Sequence, residues 1–394
     1  MEKLNLDSWY SKGIISLTIG FILLFITWTF TNSQYTFAFE DAFFSKVYLW
    51  KFKVFSAKPK IAPKFIFINT SKDIALVDDT LDYGNIAISN REKLYQFIQF
   101  INQSPNKPIY TLLDLQFYYK NTTNPSIDTL LNNEISFNKN IVIPILKNEN
   151  GQYIKPFINA NTANADYTSF GSGVTKFKLF AEDNTPTIPV FLHQKINRAF
   201  YDEHTFFSTC NKHLCLSSIW PSYYLNPNDL KSNKCSYAEY YNLGELLLGF
   251  EGDTTMCQQL FQNKIIFIGN FDSDIHITPL GKSSGSIILA NVYLSLLNNQ
   301  HLVSYFWLFI LWIILSSLSY FACFSKLPKI NLKFSFIFSK HLESFIQNYF
   351  TYMGYLLLFS LIGIFLFNLQ IDLFLPAFLL TFLEYFTHKK YKAE

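Results

Sequence analysis

Apolar stretches are distributed unevenly along this chain: one lies near the start and three crowd the last quarter. A helix of about 20 apolar residues can cross a bilayer because it satisfies its own backbone hydrogen bonds. We therefore predict four transmembrane helices, at residues 13–30, 304–324, 350–367 and 371–387. The last of these is short and contains Asp372, Pro376 and Glu384. The segment of residues 31–303 forms a large domain on one side of the membrane.

Within residues 31–303, short apolar runs rich in β-branched and aromatic residues alternate with helical patterns. Strands are predicted at residues 64–69 (KFIFIN), 109–115, 140–146 and 264–269 (KIIFIG). Helices are predicted within residues 31–62 and at residues 90–102, 129–134, 189–200 and 286–298. Residues 147–186 are polar and indicate loops and a hairpin. This alternation predicts an α/β domain whose mostly parallel or mixed sheet is covered by helices.

The lysines indicate which side of the membrane the domain faces. The basic, amphipathic loop of residues 325–349 carries four lysines against a lone Glu343, and the tail of residues 388–394 carries three more. Short loops rich in Lys and Arg stay in the cytoplasm. Residues 1–12, the loop and the tail are therefore predicted to be cytoplasmic, and residues 31–303 to lie outside. The first span has no Ala-x-Ala-like site after it, which favours an uncleaved anchor over a signal peptide.

Composition and charge agree with a membrane protein. Of the 394 residues, 49% are hydrophobic and 19% are aromatic. The formal net charge of +3 argues against nucleic acid as a partner. Asp274 and His276 could form a catalytic pair, but no nucleophile is assigned to them. We therefore expect no catalytic residue, no enzymatic activity and no cofactor.

The cysteines predict disulfides. Four of the five lie in one stretch of the outer domain, namely Cys210, Cys215, Cys235 and Cys257. An even number of cysteines on the oxidising side of a membrane indicates two disulfides, with three possible pairings. A metal site is the alternative, because Cys210-x-x-His213-x-Cys215 places three possible ligands together. Zinc sites usually use tighter Cys-x-x-Cys pairs, so disulfides are favoured and no metal is expected.

Polar residues follow three of the predicted strands, at residues 69–73, 114–116 and 270–278. In open parallel sheets, ligands tend to bind beyond the carboxyl ends of the strands. These residues are therefore candidates for a binding site. The alternative is that they form solvated turns that cap helices.

The end of the domain resembles the type-two CHASE domain, an extracytoplasmic sensory domain of bacteria. The residues that carry the resemblance follow in order: Ile268-Gly269, Asp274-Ile-His276-Ile-Thr278-Pro279, Gly285, Ala290-Asn291 and Leu296-Leu297. Asp114, after the second strand, stands where that family has an Asp. The resemblance extends over about residues 38–300, and only its last part carries specific motifs. It implies one span before the domain and three after it, in the bacterial inner membrane.

The resemblance also suggests roles for single residues. Ligand contacts are expected at Asp114, Asp274, His276 and Thr278, and structural roles at Gly269, Pro279 and Asn291. The run from Asp274 to Pro279 is expected to be a loop that acts as a structural joint, since Pro279 fixes its own φ and restricts Thr278. Asn69-Thr70 stands where the family usually has an Asp pair, which argues against a binding role for these two residues.

Family members often carry an output domain after the third following span, and residues 325–394 contain no recognisable one. We therefore expect a sensor or receptor subunit that acts through a separate output or partner protein. The alternative is a structural or assembly subunit of a larger envelope complex that uses the same fold for docking. The expected partners are membrane lipids and either a membrane protein or a second copy of the chain. The last three spans and the loop of residues 324–349 would make the contacts, and the ligand stays open.

Overall fold

The computed structural model describes residues 9–32, 38–55, 58–78, 84–147, 152–165, 167–170, 173–181, 183–203, 207–232, 234–252, 259–325, 327–328, 340–369 and 372–390. The chain divides into two compact units. We call one the helical unit; it comprises Met1–Phe44, Asp202–Ser217 and Leu302–Glu394. The other, the α/β unit, comprises Ser45–Tyr201 and Ser218–His301.

The helices and strands of the described residues alternate through most of the chain. The helices are α1 (Trp9–Asn32), α2 (Ala38–Phe55), α3 (Arg91–Gln103), α4 (Pro125–Phe137), α5 (Ile188–Asn197), α6 (Pro227–Lys231), α7 (Leu243–Gly252), α8 (Gly285–Leu297), α9 (Tyr305–Phe324), α10 (Lys340–Phe367) and α11 (Phe374–Lys390). The strands are β1 (Lys64–Asn69), β2 (Ile74–Asp78), β3 (Asn85–Ser89), β4 (Tyr110–Asp114), β5 (Ile141–Lys147), β6 (Tyr153–Ile154), β7 (Asn161–Asn164), β8 (Tyr167–Phe170), β9 (Gly173–Lys178), β10 (Tyr201–Glu203), β11 (Ser208–Cys210), β12 (His213–Cys215), β13 (Ser218–Ile219), β14 (Ala238–Asn242), β15 (Lys264–Gly269), β16 (Ile275–Thr278) and β17 (Gly281–Ser284).

The α/β unit is built on a parallel sheet with the strand order β14-β1-β15-β4-β5. Strand β7 extends it in parallel beside β5, and β6 pairs antiparallel with the end of β5. The last long strand in sequence, β15, therefore lies between β1 and β4. The sheet is complete only when residues from both ends of the domain have come together.

Both faces of the central strands are buried, which explains their continuous apolar sequences. On one face, Ile66 and Ile68 of β1 join Ile266 and Ile268 of β15 in a core with helices α3, α4 and α7. On the other face, the rings of Phe67 and Phe267 stack at 5.3 Å, and Phe65 contacts Tyr293 of α8. In KFIFIN, phenylalanine faces one layer of helices and isoleucine faces the other.

The structure confirms the α/β architecture that the sequence predicts, including the strands at Lys64–Asn69 and Lys264–Gly269. It also adds the edge strand β14, which the sequence analysis missed. An edge strand pairs on one side only, so the run Ala238–Asn242 needs no continuous apolar pattern.

The prediction of a loop from Asp274 to Pro279 is wrong. Residues Ile275–Thr278 form strand β16, which pairs antiparallel with β17 around the turn at Pro279. This hairpin belongs to a second sheet with the order β13-β9-β16-β17. Gly281 closes the turn with a φ of 105°, which residues with a side chain rarely adopt. The alternation of Ile275 and Ile277 was the available signal for a strand.

The helical unit contains three helices long and apolar enough to cross a membrane by length and composition: Trp9–Asn32, Tyr305–Phe324 and Leu342–Phe367. The fourth predicted span corresponds to a shorter apolar helix, Phe374–Thr387. Residues 340–349, assigned to a loop by the sequence analysis, are the first turns of α10. Residues 329–339 of that loop lie outside the described residues.

Helices α1 and α9 pack at very close range in the helical unit. A Cβ added at Gly20 would lie 2.6 Å from the Cα of Ser316, so only glycine fits this crossing. Trp312 Nε1 donates to the carbonyl of Leu17 at 3.0 Å, which fixes the register of the two helices.

A hairpin of β11 and β12 lies at one end of this helix pair. The backbone N–H of Val303 donates to the Leu214 carbonyl, and Ser217 Oγ donates to the carbonyl of Asn32 at 2.7 Å. Cys210 and Cys215 are buried in the hairpin, and Cys235 lies in the α/β unit. Cys257 is outside the described residues, so the two disulfides stay a prediction.

We predict that Gly20→Ala destabilises the full chain by about 1–3 kcal/mol, because the new methyl group meets the backbone of Ser316. Thermal unfolding in mild detergent measures the change. The matched control is Gly13→Ala on the same helix, where a Cβ meets nothing within 4 Å. That variant should be neutral or more stable by up to about 1 kcal/mol. Equal midpoints for both variants would contradict the close crossing.

Candidate functional site

Three strands of the main sheet end side by side with polar residues. Asn69 of β1 pairs in register with Gly269 of β15, and Gly269 pairs with Asp114 of β4. The polar segments that the sequence analysis singled out after these strands therefore meet at one edge of the sheet. We call this the carboxyl edge.

The turn after β15 fills the middle of the carboxyl edge. Asn270 Oδ1 accepts hydrogen bonds from the N–H groups of Asp272 and Ser273, at 3.3 and 3.0 Å. Asn69 Oδ1 accepts another from the N–H of Phe271 at 3.1 Å. The turn thus points Asp272 toward β1 and places Asp274 on the side of Asp114.

Asp114 lies at the end of β4 and is bonded to the start of helix α8. Ser286 Oγ donates to Asp114 Oδ2 at 2.6 Å, and Ser286 is 1% exposed. Burial, followed by the neighbouring Asp274 carboxylate, raises the pKa of Asp114 to about 7. Asp114 can therefore change its charge near neutral pH, which a solvent-exposed aspartate cannot do.

Asp274 and His276 form a second pair at the same edge. His276 Nε2 lies 3.1 Å from Asp274 Oδ1, and both side chains are partly accessible to solvent. The hydrogen bond with Asp274 raises the pKa of His276, and the Asp114 carboxylate contributes in the same direction. The backbone carbonyl of Asp274 accepts a hydrogen bond from the N–H of Gly285 at 3.2 Å.

Two glycines make room for these contacts. A Cβ at Gly285 would clash with the Asp274 carboxylate and lie 3.5 Å from His276 Nε2. A Cβ at Gly269 would lie 2.7 Å from Ser286 Oγ. Neither glycine is required by its backbone angles; at each position an added Cβ would push away the end of a neighbouring side chain. At Gly269, the lack of a side chain leaves room for the Ser286 hydroxyl.

Asp272 is the centre of a third group, which sequence reasoning did not identify. Its carboxylate accepts hydrogen bonds from Ser71 Oγ at 2.5 Å and Asn69 Nδ2 at 3.2 Å, and pairs with Lys231 at 3.0 Å. Hydrogen bonds from Ser71 and Lys231 lower the pKa of Asp272 to about 2. Asn69, for which no role was expected, therefore holds this carboxylate in place.

The other predicted residues lie in structural positions. Thr278 Oγ1 donates to the carbonyl of Gly281 at 2.8 Å, across the turn that contains Pro279. Asn291, which is 1% exposed, accepts from the N–H of Leu225 at 2.8 Å and donates to its carbonyl at 3.0 Å. Asn291 thus joins the middle of α8 to an extended segment of the α/β unit.

Residues 281–285 read Gly-Lys-Ser-Ser-Gly and match the pattern Gly-x-Ser-x-Gly, which the sequence analysis overlooked. Ser283 stands opposite His276 in the hairpin, but it is only 6% exposed. In hydrolases of that pattern the serine is presented at an accessible strand-to-helix turn. Ser283 is the last but one residue of β17 and is buried, so its presentation differs from that of the serine in those hydrolases.

Residues 20–322 match the CHASE2 domain model, and the chain belongs to this family. CHASE2 domains are sensory domains that lie outside the cytoplasm. No curated protein and no solved structure matches the chain. All residues of the carboxyl edge fall within the matched segment.

We predict that Asp114→Asn weakens the dependence of stability on pH. The pKa of Asp114 rises from 3.8 to about 7 on folding, so the folded chain holds this proton more tightly than the unfolded chain. Stability is therefore highest below the ordinary pKa and falls as the pH rises toward 7. The raised pKa of His276 also makes stability fall as the pH rises, so Asp114→Asn removes only part of the dependence of stability on pH. Thermal unfolding between about pH 4 and 8 measures it.

Asp272→Asn is the matched control. The pKa of Asp272 is lowered to about 2, so its contribution to stability is lost only on acidification. Above about pH 5 the stability of the Asp272→Asn variant should therefore change with pH as much as that of the unmodified chain. Parallel curves for Asp114→Asn and the unmodified chain would contradict the assignment.

Proposed function

We propose that the chain is a membrane-anchored extracytoplasmic sensor that acts through a separate partner protein. One observation carries the proposal: Ser286, in the first turn of helix α8, is bonded to Asp114 at the carboxyl edge, and the chain then continues into the apolar helix α9. A change in charge or ligand contact at Asp114 or Asp274 therefore acts directly on the segment that precedes a predicted span. The proposal assigns no catalytic step to Asp274 or His276.

Helix α8 is suited to transmit such a change because it is held along its whole length. Every residue from Ser286 to Leu297 is buried. Tyr293 OH donates to Asn197 at 2.9 Å, and the N–H of Ser222 donates to Ser295 Oγ at 2.8 Å. A packed helix moves as a body, since close-packed interiors do not deform continuously.

The far end of α8 is bonded to the segment through which the chain enters the α/β unit. Asn298 Oδ1 accepts from the N–H of Lys60 at 2.7 Å, and Asn298 Nδ2 donates to the carbonyl of Ile61 at 3.1 Å. Gln300 Oε1 accepts from Tyr48 OH of α2 at 3.3 Å. The entering and leaving segments are thus tied to each other, so both would respond to a shift of α8.

The membrane arrangement is part of the proposal. Four spans at α1, α9, α10 and α11 cross the bacterial inner membrane, with the α/β unit outside. The apolar lengths of three of these helices and the lysines of residues 325–349 and 388–394 support this orientation. The partner, a membrane protein or a second copy, binds the last three spans.

A second candidate function is an assembly subunit of an envelope complex. The hairpin of β2 and β3 exposes Leu76 at 62%, and helix α7 exposes Leu248 at 71%. A neighbouring subunit would cover these two apolar side chains in such a complex. In this function the α/β unit would dock on a neighbour without sensing a ligand.

We predict that a photo-crosslinking residue at Leu366 or Phe309 captures a protein of defined mass in native membranes. These side chains of α10 and α9 are 70% and 55% exposed, so they face either lipid or a partner. Immunoblotting and mass spectrometry identify the adduct. If contact with the partner depends on the state of the carboxyl edge, charge-neutral variants there, such as Asp114→Asn, should change the yield of the adduct.

Leu356 is the matched control, because it lies on α10 and is fully buried. A crosslinker there should give no adduct with another protein. Lipid adducts alone at both exposed positions would contradict the partner. An adduct with the same yield in the unmodified chain and in Asp114→Asn would favour the assembly function.

A further inference from the structure

A cavity of about 480 Å³ lies at the opposite, amino edge of the main sheet. Its polar lining comes from the starts of strands and from the end of α5: Tyr110, Lys139, Asn140, Asn161 and Lys195. Tyr110 opens β4, Asn140 precedes β5 and Asn161 opens β7. The volume suits a small ligand.

Tyr110 presents a hydrogen-bond donor at this cavity. The residue is 4% exposed, and its hydroxyl lies 3.5 Å from Asn161 Nδ2. That amide also donates to the carbonyls of Lys139 and Ile141, at 2.7 and 3.2 Å, so its orientation is fixed. The two carbonyls are the closer acceptors for the two N–H groups of Asn161, so the 3.5 Å contact with Tyr110 is weak, and the Tyr110 hydroxyl can donate its proton to a ligand. Burial raises the pKa of Tyr110 to about 12, so the phenol stays protonated.

Two lysines supply positive charge without a neutralising carboxylate. Lys139 and Lys195 both line the cavity, and its lining contains no Asp or Glu. In the described ranges, neither lysine forms an ion pair. The ammonium of Lys195 lies 5.5 Å from the ring centre of Phe191, and that ring contacts Tyr110 at 5.9 Å. Lys195 and Tyr110 therefore both lie against the ring of Phe191.

A simpler explanation exists for Lys195 alone. It lies in the last turn of α5, where a cation complements the negative end of the helix dipole. The dipole does not account for Lys139, which precedes β5, nor for the buried phenol between them. Two cations and a neutral donor, with no acid among them, match a dianion with several acceptor oxygens.

We propose that this cavity binds a phosphate group, with Lys139, Lys195 and Tyr110 as its donors. The phosphate belongs either to a soluble phosphomonoester or to the headgroup of an anionic lipid. The cavity is lined by residues at the starts of β4, β5 and β7 and at the end of α5. Its occupant therefore binds at the amino edge, independently of the carboxyl edge.

The test uses the full chain purified in mild detergent, titrated with glycerol 3-phosphate by calorimetry. Saturable binding is expected. The variants Lys139→Gln and Lys195→Gln should each lose about tenfold in affinity, since each removes one charge-assisted hydrogen bond. Tyr110→Phe keeps the ring contact with Phe191 and should lose less. The control is Lys155→Gln, an exposed lysine outside the cavity.

A second titration with short-chain phosphatidic acid, kept below its micelle concentration, distinguishes the two sources. Tighter binding than glycerol 3-phosphate, lost in the Lys139→Gln variant, assigns the site to a lipid headgroup. Equal binding of the two probes assigns it to a soluble phosphomonoester. No saturable binding of either probe, or an equal loss in Lys155→Gln, overturns the proposal. Thermal unfolding of each variant shows that it is folded.

Discussion

The placement of β15 between β1 and β4 is the constraint on which the α/β unit depends. Its six residues pair with β1 on one side, the last five also pair with β4 on the other, and all six are buried. Its side chains serve both helix layers, with Phe267 on one face and Ile266 and Ile268 on the other. The strand β15 pairs with β1, which lies about two hundred residues earlier in the chain. Contacts between residues so far apart in sequence make folding intrinsically slow.

The same placement creates the carboxyl edge. Because β15 is central, the turn that follows it lies between the ends of its two neighbours and can reach both. Asp272 turns to Asn69 on one side, while Asp274 lies beside Asp114 on the other. The chain then folds back through a hairpin and starts α8 at Gly285, where an added Cβ would displace the Asp274 carboxylate. The chain between β15 and α8 thus places Asp272 and Asp274 at the carboxyl edge and also sets the start of the helix that leads to α9.

The sequence was sufficient to predict the parallel sheet, because runs such as KFIFIN are apolar on both faces only in buried strands. The family resemblance also singled out Asp114, Asp274 and His276, which lie together at the carboxyl edge. Ser286 and Lys231 could not be found, because their contacts with Asp114 and Asp272 join residues distant in the chain. Their types are ordinary at helix termini, so only the three-dimensional register gives them a role.

The central claim is that the carboxyl edge and the far end of α8 are mechanically connected. Hydrogen exchange of the full chain in detergent, compared between the unmodified protein and Ser286→Ala, tests it most directly. Loss of the bond to Asp114 should speed exchange in the first turn of α8 and also at residues 298–300, where Asn298 holds Ile61. Helix α3 should exchange as before. Faster exchange confined to the first turn would contradict the claim.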